Sequence, residues 1–479
     1  MLSLIGYLTV AVILTLLLTN RVAAVVALAG VPIVGALIAG FGPAEIGELV
    51  TAGLGGVVGT ATMFVFAIVY FGLMRDAGMF DPIITRIVRF AGNAPVTVCI
   101  GTVLLAMAAH LDGAGATTFL ITIPAMLPIF DRLGMSRLVL TTCVGLGAGV
   151  MNLLPWGGPT ARAATTTGVG VNELWTPLIP AQVVGMVCVV LVAWHLGRSE
   201  DRRLSAVGRQ DDGTTAEQSD DTVARREVTV TTGAAASASD EEPRSRAAGR
   251  AVEPAPLEPA GAPDDVQAEL RRPRLFWFNV ALTVAVIAVL VAGIALPEVV
   301  FLVGVVIALV VNYPGLAEQT RRIEAHSKGA MLMATTLLAA GVFLGILEGS
   351  GMIEAMADTA VSALPGQAAP ALPLLAGVLG VPLSLVFGPD AYYFGVLPVL
   401  IGIGEQFGVS GVDIAQASLL GEETVGFPIS PLTGSFFLLV GLGGVDIGRH
   451  IRHLIGWAWL VSLVMLAAAV VTGAVPLWA

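Results

Sequence analysis

His110-Leu111-Asp112-Gly113-Ala114-Gly115-Ala116-Thr117-Thr118 interrupts an apolar run that extends over residues 94–130. It sets an ionisable carboxylate, an imidazole and two glycines among neighbours that are almost all hydrophobic. In water such a stretch would be an ordinary turn. In a bilayer it breaks a helix, and each backbone group left without a partner is costly unless the break lines a cavity or a binding site.

The composition puts the chain in a bilayer. Of its 479 residues 56% are hydrophobic and 12% charged, about half the charge of a soluble domain. Mean hydropathy is +0.87. The net charge of −11 says little about partners, because charge on a membrane protein is sorted by side. Cys99, Cys143 and Cys188 lie in apolar segments without metal-ligand spacing and read as small buried hydrophobes. Met1 leads straight into an apolar run with no basic start, so no signal peptide is expected.

Runs near the roughly 20 residues needed to span occur at 2–19, 22–40, 55–74, 138–168 (interrupted), 177–197, 275–294, 298–313, 329–347, 412–444 (interrupted) and 454–475. Two more, 94–130 and 369–404, are broken in the middle. Between 198 and 274 the composition changes to twelve Arg and sixteen Asp or Glu with few large apolar groups, which predicts a disordered linker. If that linker is cytoplasmic, the positive-inside rule orients the rest. Arg21, Arg75, Arg86, Arg89, Arg132, Arg137, Arg321, Arg322, Lys328, Arg449 and Arg452 then all fall inside. The outward loops (41–53, 170–176, the Pro297 turn, 348–368, 404–411) hold no Lys or Arg. Both termini are expected outside, in a multi-pass protein of a bacterial cytoplasmic membrane. Only Arg162 is left over, within a membrane segment. The count works only if 94–130 is a re-entrant hairpin from the cytoplasm and 369–404 one from outside.

The two halves repeat. Gly72-Leu73-Met74-Arg75-Asp76-Ala77-Gly78-Met79 aligns with Gly345-Ile346-Leu347-Glu348-Gly349-Ser350-Gly351-Met352 at an offset of 273 residues. Pro124, Asp131, Gly134 and Ser136 align with Pro398, Glu405, Gly408 and Ser410 at 274, and Pro155 with Pro431 at 276. Charge puts the first segment near the inside and its mate near the outside, so the repeats are inverted. The expected fold is an all-α polytopic membrane protein of about ten spans and two hairpins. Its first repeat is 1–197 (hairpin 94–130, broken helix 138–168) and its second 275–479 (hairpin 369–404, broken helix 412–444). Inverted repeats with discontinuous helices mark secondary transporters, with the site near the midplane where the breaks meet.

Four breaks are expected there: 112–118, 152–162, 386–394 and 422–435. In the second, Pro155, Gly157, Gly158 and Pro159 rule out a continuous helix. The half-helix beginning near Thr160 offers free N–H groups and a positive dipole end. Arg162 adds a guanidinium fork that fits a carboxylate bidentately. Its alternative is a structural pair with Asp112, Asp390 or Glu423. Asp112, Asp390 and Glu423 are the candidates for facing a metal or coupling to protons, and the sequence does not divide the roles. Glu422 is equally readable as solvated and outward-facing. His110 reads as a proton relay or as a hydrogen-bond partner at a helix end. His195, His326, His450 and His453 read as interfacial. The candidate substrate-binding residues are Gly113, Gly115, Thr117 and Thr118 in the first break, and Asn152, Gly157, Gly158, Thr160 and Arg162 in the second. Tyr392 is the candidate in the third, and Ser430, Thr433 and Ser435 in the fourth.

Taken together, the runs 110–118, 152–164, Gly388-Pro389-Asp390-Ala391-Tyr392-Tyr393-Phe394-Gly395 and 428–441 resemble the citrate–divalent metal:proton symporter family, within the ion transporter superfamily. The resemblance spans both halves and leaves out the linker. It implies proton-coupled uptake of citrate complexed with Mg²⁺ or Ca²⁺, with no permanently bound cofactor. It also implies a homodimer with a scaffold and a moving transport domain. A carrier for another carboxylate, or one coupled to Na⁺, stands as the alternative on the same fold, and a channel is a third reading. No protease or zinc-enzyme motif is present, so no enzyme is expected; nor is a nucleic-acid partner.

Overall fold

The described residues contain helices and no strand. An apolar chain in lipid must satisfy its backbone within each segment, and the helix does this. The structure is a computed structural model and describes residues 1–19, 21–216, 269–361 and 366–478. Linker residues 217–268 lie outside the described residues. Among the described residues six helices are long and apolar enough to cross a membrane, and six shorter apolar helices accompany them.

The first half runs α1 (Leu2–Leu18), a π-helical turn, α2 (Val31–Ala39), α3 (Pro43–Asp76), α4 (Asp81–Ala91), α5 (Pro95–Ala109), α6 (Gly115–Arg132), α7 (Arg137–Met151), α8 (Gly158–Thr167), α9 (Val171–Trp175) and α10 (Ile179–Ala216). The second runs α11 (Phe276–Ala292), α12 (Pro297–Asn312), α13 (Leu316–Gly349), α14 (Met352–Val361), α15 (Leu372–Leu383), α16 (Leu397–Gln406), α17 (Gly411–Leu419), α18 (Gly434–Gly443) and α19 (Ile447–Val471). The halves match in their main elements: α3 and α13 have 34 residues each, and α8 and α18 have ten each.

Four expectations from sequence need correction, the first being the loop read at 170–176, which contains α9. The stretch 41–53, read as a loop, is helical from Pro43. That proline starts the helix with its φ preset, and the Glu45 carboxylate accepts from the Gly42 amide at 2.7 Å. The loop read at 348–368 contains α14. The linker read from 198 begins as helix instead, because α10 continues to Ala216. Polar residues such as Glu200 and Arg203 are good helix formers. Glu200 also ties α10 down, accepting from the Ser136 amide at 2.9 Å and from Arg203 at 2.8 Å.

The long helices α3 and α13 are repeat counterparts, and they pack antiparallel. At one end a Cβ on Gly53 would sit on the Gly341 carbonyl oxygen, and one on Gly345 on the Leu49 carbonyl oxygen. At the other end Asp76 meets His326 at 2.8 Å and Arg322 at 3.2 Å. Glycines let the two backbones touch where lipid gives no hydrophobic drive to association. Equivalent helices that run in opposite directions make the repeats inverted. Around this pair α1, α2, α11 and α12 form a frame. The hairpins α5–α6 and α15–α16 pack instead on the broken helices α7–α8 and α17–α18 and on α19, forming a core set against the frame.

Candidate functional site

The core brings the four breaks together. In the first, a 3-10 turn His110–Asp112 ends at Gly113, whose φ of 71° only glycine adopts freely. Asp112 Oδ1 accepts from the Ala114 amide at 2.9 Å and fixes the start of α6. Trp156 of the second break donates from Nε1 to the Leu111 carbonyl at 2.8 Å, and its own carbonyl lies against Gly113. The second break meets the fourth where Asn152 Nδ2 donates to the Glu423 carbonyl at 2.6 Å. The third meets the second where Arg162 Nε donates to Asp390 Oδ1 at 2.7 Å. The first meets the fourth where Gly115 lies against Phe427 and Ser435. Two half-helices, α8 and α18, therefore start beside the opposite repeat's hairpin tip.

Each hairpin-tip aspartate is held by an arginine, from different places. Asp390 pairs with Arg162 of α8, whose side chain is 11% exposed. Asp112 pairs with Arg75 in the last turn of α3, at 3.4 Å, and Arg75 Nη1 donates to Thr117 at 3.0 Å. A cavity of about 250 Å³ opens at Gly388, Pro389, Asp390 and Leu432 against the end of α1. Another, of about 210 Å³, opens at Asp112, Ala114 and Thr117 against Arg75 and His326.

The acids of the fourth break are the most enclosed. Glu422 and Glu423 are 0% and 2% exposed, so the solvated reading of Glu422 does not hold. Ser384 Oγ donates to Glu422 Oε2 at 3.1 Å and accepts from the Glu423 amide at 3.0 Å. Glu422 Oε1, Glu423 Oε1 and Ser430 Oγ are buried with no hydrogen-bond partner. Among the described residues Glu423 is the one non-glycine with positive φ, at 53°, a strained position of the kind that collects at functional sites. Glu423 also lies within electrostatic range of Arg162 and Asp390.

Other candidates divide by what they touch. His110 is fully buried, bonded to Thr118 at 2.7 Å and to Asn152 at 3.3 Å, and stacked on Phe427. Thr160 donates to the Leu153 carbonyl, and Thr433 to the Phe427 and Ser430 carbonyls. These hydroxyls shape the breaks. Gly157 packs on the Asn152 and Leu154 carbonyls, and Gly158 lies under Arg162 Nη1. Tyr392 is fully buried and its hydroxyl bonds that of Ser418 at 2.8 Å. Sequence reasoning treated Arg75 only as a mark of sidedness, although it sits inside the repeat segment 72–79. It likewise placed His450 at the interface. That ring is buried, bonded to Thr141 and to the Pro428 carbonyl of the fourth break, each at 3.0 Å. Among the described residues no three His, Cys, Asp or Glu side chains converge as a metal cage.

The sequence profile of the citrate transporter family matches residues 5–421. The chain belongs to this family. A citrate transporter of Bacillus subtilis (strain 168) is 39% identical over 473 residues, covering 99% of each chain. A Mg²⁺/citrate complex secondary transporter of the same organism is 38% identical over 475 residues, again covering 99% of each. Among solved structures, the YdaH transporter of Alcanivorax borkumensis, described as having an unusual topology, superposes with a TM-score of 0.54 at 16% identity. It covers 92% of this chain and 91% of its own, and shows the fold. As a citrate transporter family member the chain is a transporter and not an enzyme, which accords with the all-helical architecture and the resemblance of its four motifs.

Proposed function

We propose that the protein is a secondary active transporter that takes up citrate as its complex with a divalent cation, coupled to protons. The observation that carries this reading is the partly buried Arg162–Asp390 pair at the junction of the breaks. Taking one member from the pair leaves its partner's charge uncompensated. A cargo with a cation and carboxylates side by side replaces both members at once. The cation takes the arginine's place at Asp390, and a carboxylate takes the aspartate's place at Arg162. A bare citrate trianion offers only one of these, whereas chelation supplies both and cancels two charges.

In this reading Arg162 binds a citrate carboxylate beside Gly157 and Gly158 at the start of α8. Asp112 and Asp390 face the cation. Glu423, enclosed and without a partner for one oxygen, carries the coupled proton. The basic ends of the frame face the cytoplasm and both termini face outside. The working unit is a homodimer with the linker as a cytoplasmic tether. The test is uptake of labelled citrate into proteoliposomes, with Mg²⁺, Ca²⁺ and other divalent cations in turn under an imposed pH gradient. Uptake that requires a divalent cation and follows the proton gradient is expected. Uptake without any divalent cation, or driven by Na⁺ alone, overturns the reading.

A further inference from the structure

The pair between Arg75 and Asp112 is unevenly satisfied. Both aspartate oxygens are engaged, Oδ1 by the Ala114 amide and Oδ2 by Arg75. The arginine uses Nη1 alone, for Asp112 and Thr117. Its Nε and Nη2, the edge that grips a carboxylate with two parallel hydrogen bonds, have no partner among the described residues. The side chain is 37% exposed and lines the 210 Å³ cavity. The neighbouring cations are already committed: His326 to Asp76, and Arg322 to Asp76 and Glu318. One guanidinium edge is therefore the open positive charge of this cavity.

Arg75 is also one-sided. Its repeat counterpart is Glu348, at the opposite end of the frame, in a cavity of about 350 Å³ with Glu405 and Ser410. Where the first repeat presents a fork to a hairpin tip, the second presents a carboxylate to a hairpin base. An anion is attracted at one face and repelled at the other.

We infer that Arg75, with Thr117, forms a second carboxylate-binding subsite, carried by the frame rather than the core, which engages a polycarboxylate cargo only at the basic face of the protein. The inference rests on a polycarboxylate cargo and on the basic face being cytoplasmic. It does not depend on metal or proton coupling. The hairpin tip stands against the end of α3, where Asp112 and Thr117 meet Arg75.

The test compares half-saturating Mg²⁺–citrate in inside-out and right-side-out membrane vesicles carrying the full chain. Arg75→Gln is expected to raise it at least tenfold at the cytoplasmic face and less than twofold at the outer face. Arg75→Lys keeps the charge that offsets Asp112 but loses the fork, so it should remain several-fold weaker than wild type at the cytoplasmic face. It is also the variant to rely on if Arg75→Gln does not fold. Arg75→Lys indistinguishable from wild type, an equal change at both faces, a change confined to the outer face, or tighter cytoplasmic binding each overturns the subsite. Wild-type protein that moves citrate without a divalent cation overturns the cargo proposed above and leaves this comparison to be read with free citrate. Wild-type protein that moves no polycarboxylate overturns both.

Discussion

Arg162 and Asp390 show how much one partly buried pair constrains a site. The guanidinium is reached at Nε by Asp390 Oδ1 at 2.7 Å and lies over Gly158, so its remaining donors point along the start of α8. A lysine would keep the charge and lose the planar fork. Arg162→Lys is expected to lose transport by two orders of magnitude or more, read as initial uptake at saturating Mg²⁺–citrate; unchanged rate and affinity would show that no bidentate contact is made. Asp390→Asn removes the acid and leaves the arginine unpaired, so it should lower thermal stability as well as uptake. Glu423→Gln keeps the shape of the fourth break and removes the titrating group. Citrate counterflow should persist while uptake stops responding to a pH gradient, and a retained response would place the coupling elsewhere. Arg162 was conspicuous in the sequence because a membrane-embedded arginine needs a reason. Arg75 was not, because an arginine at a helix end also serves to orient the chain. Only packing showed that Asp112 comes to meet it.

At the scale of elements, the breaks were readable from proline and glycine, and the helix ends were not. Gly113 marks the first tip through its positive φ, and Pro155 to Pro159 mark the second break. The start of α3 at Pro43 and the extension of α10 to Ala216 escaped because polarity was read as loop, where the side chains of Glu45 and Glu200 instead fasten helices. The crossing of α3 and α13 depends on glycines that only the paired structure explains. Gly345→Val should push the helices apart and cost about 1–3 kcal/mol, the usual penalty for overpacking, seen as a lower melting temperature in detergent. Trp156→Phe removes the indole donor to the Leu111 carbonyl and leaves the ring contacts with Phe71 and Phe301. It should raise half-saturation several-fold with little loss of folded protein, since its bond tethers the hairpin tip and not the frame.

For the whole molecule, the inverted arrangement was legible because charge and repetition report on different things. The offsets near 274 residues pair the halves, and the arginines give each half a direction. What neither could supply was the position of the core along the frame, which is a matter of tertiary contact. One consequence concerns the thickness of the surrounding lipid. At 1.5 Å per residue the 34-residue helices α3 and α13 are about 51 Å long, against about 30 Å of hydrocarbon. Tilts of TM helices reach about 40°, which would still leave each of them too long to be submerged. Each therefore stands out of the bilayer at its N-terminal end, where Glu45 and Glu48 begin one and Glu318, Arg321, Arg322 and Glu324 begin the other. Because the two helices are antiparallel, these ends emerge on opposite faces. A charged ridge is therefore expected above the membrane and another below it, with the frame anchored by headgroups and water as much as by lipid tails.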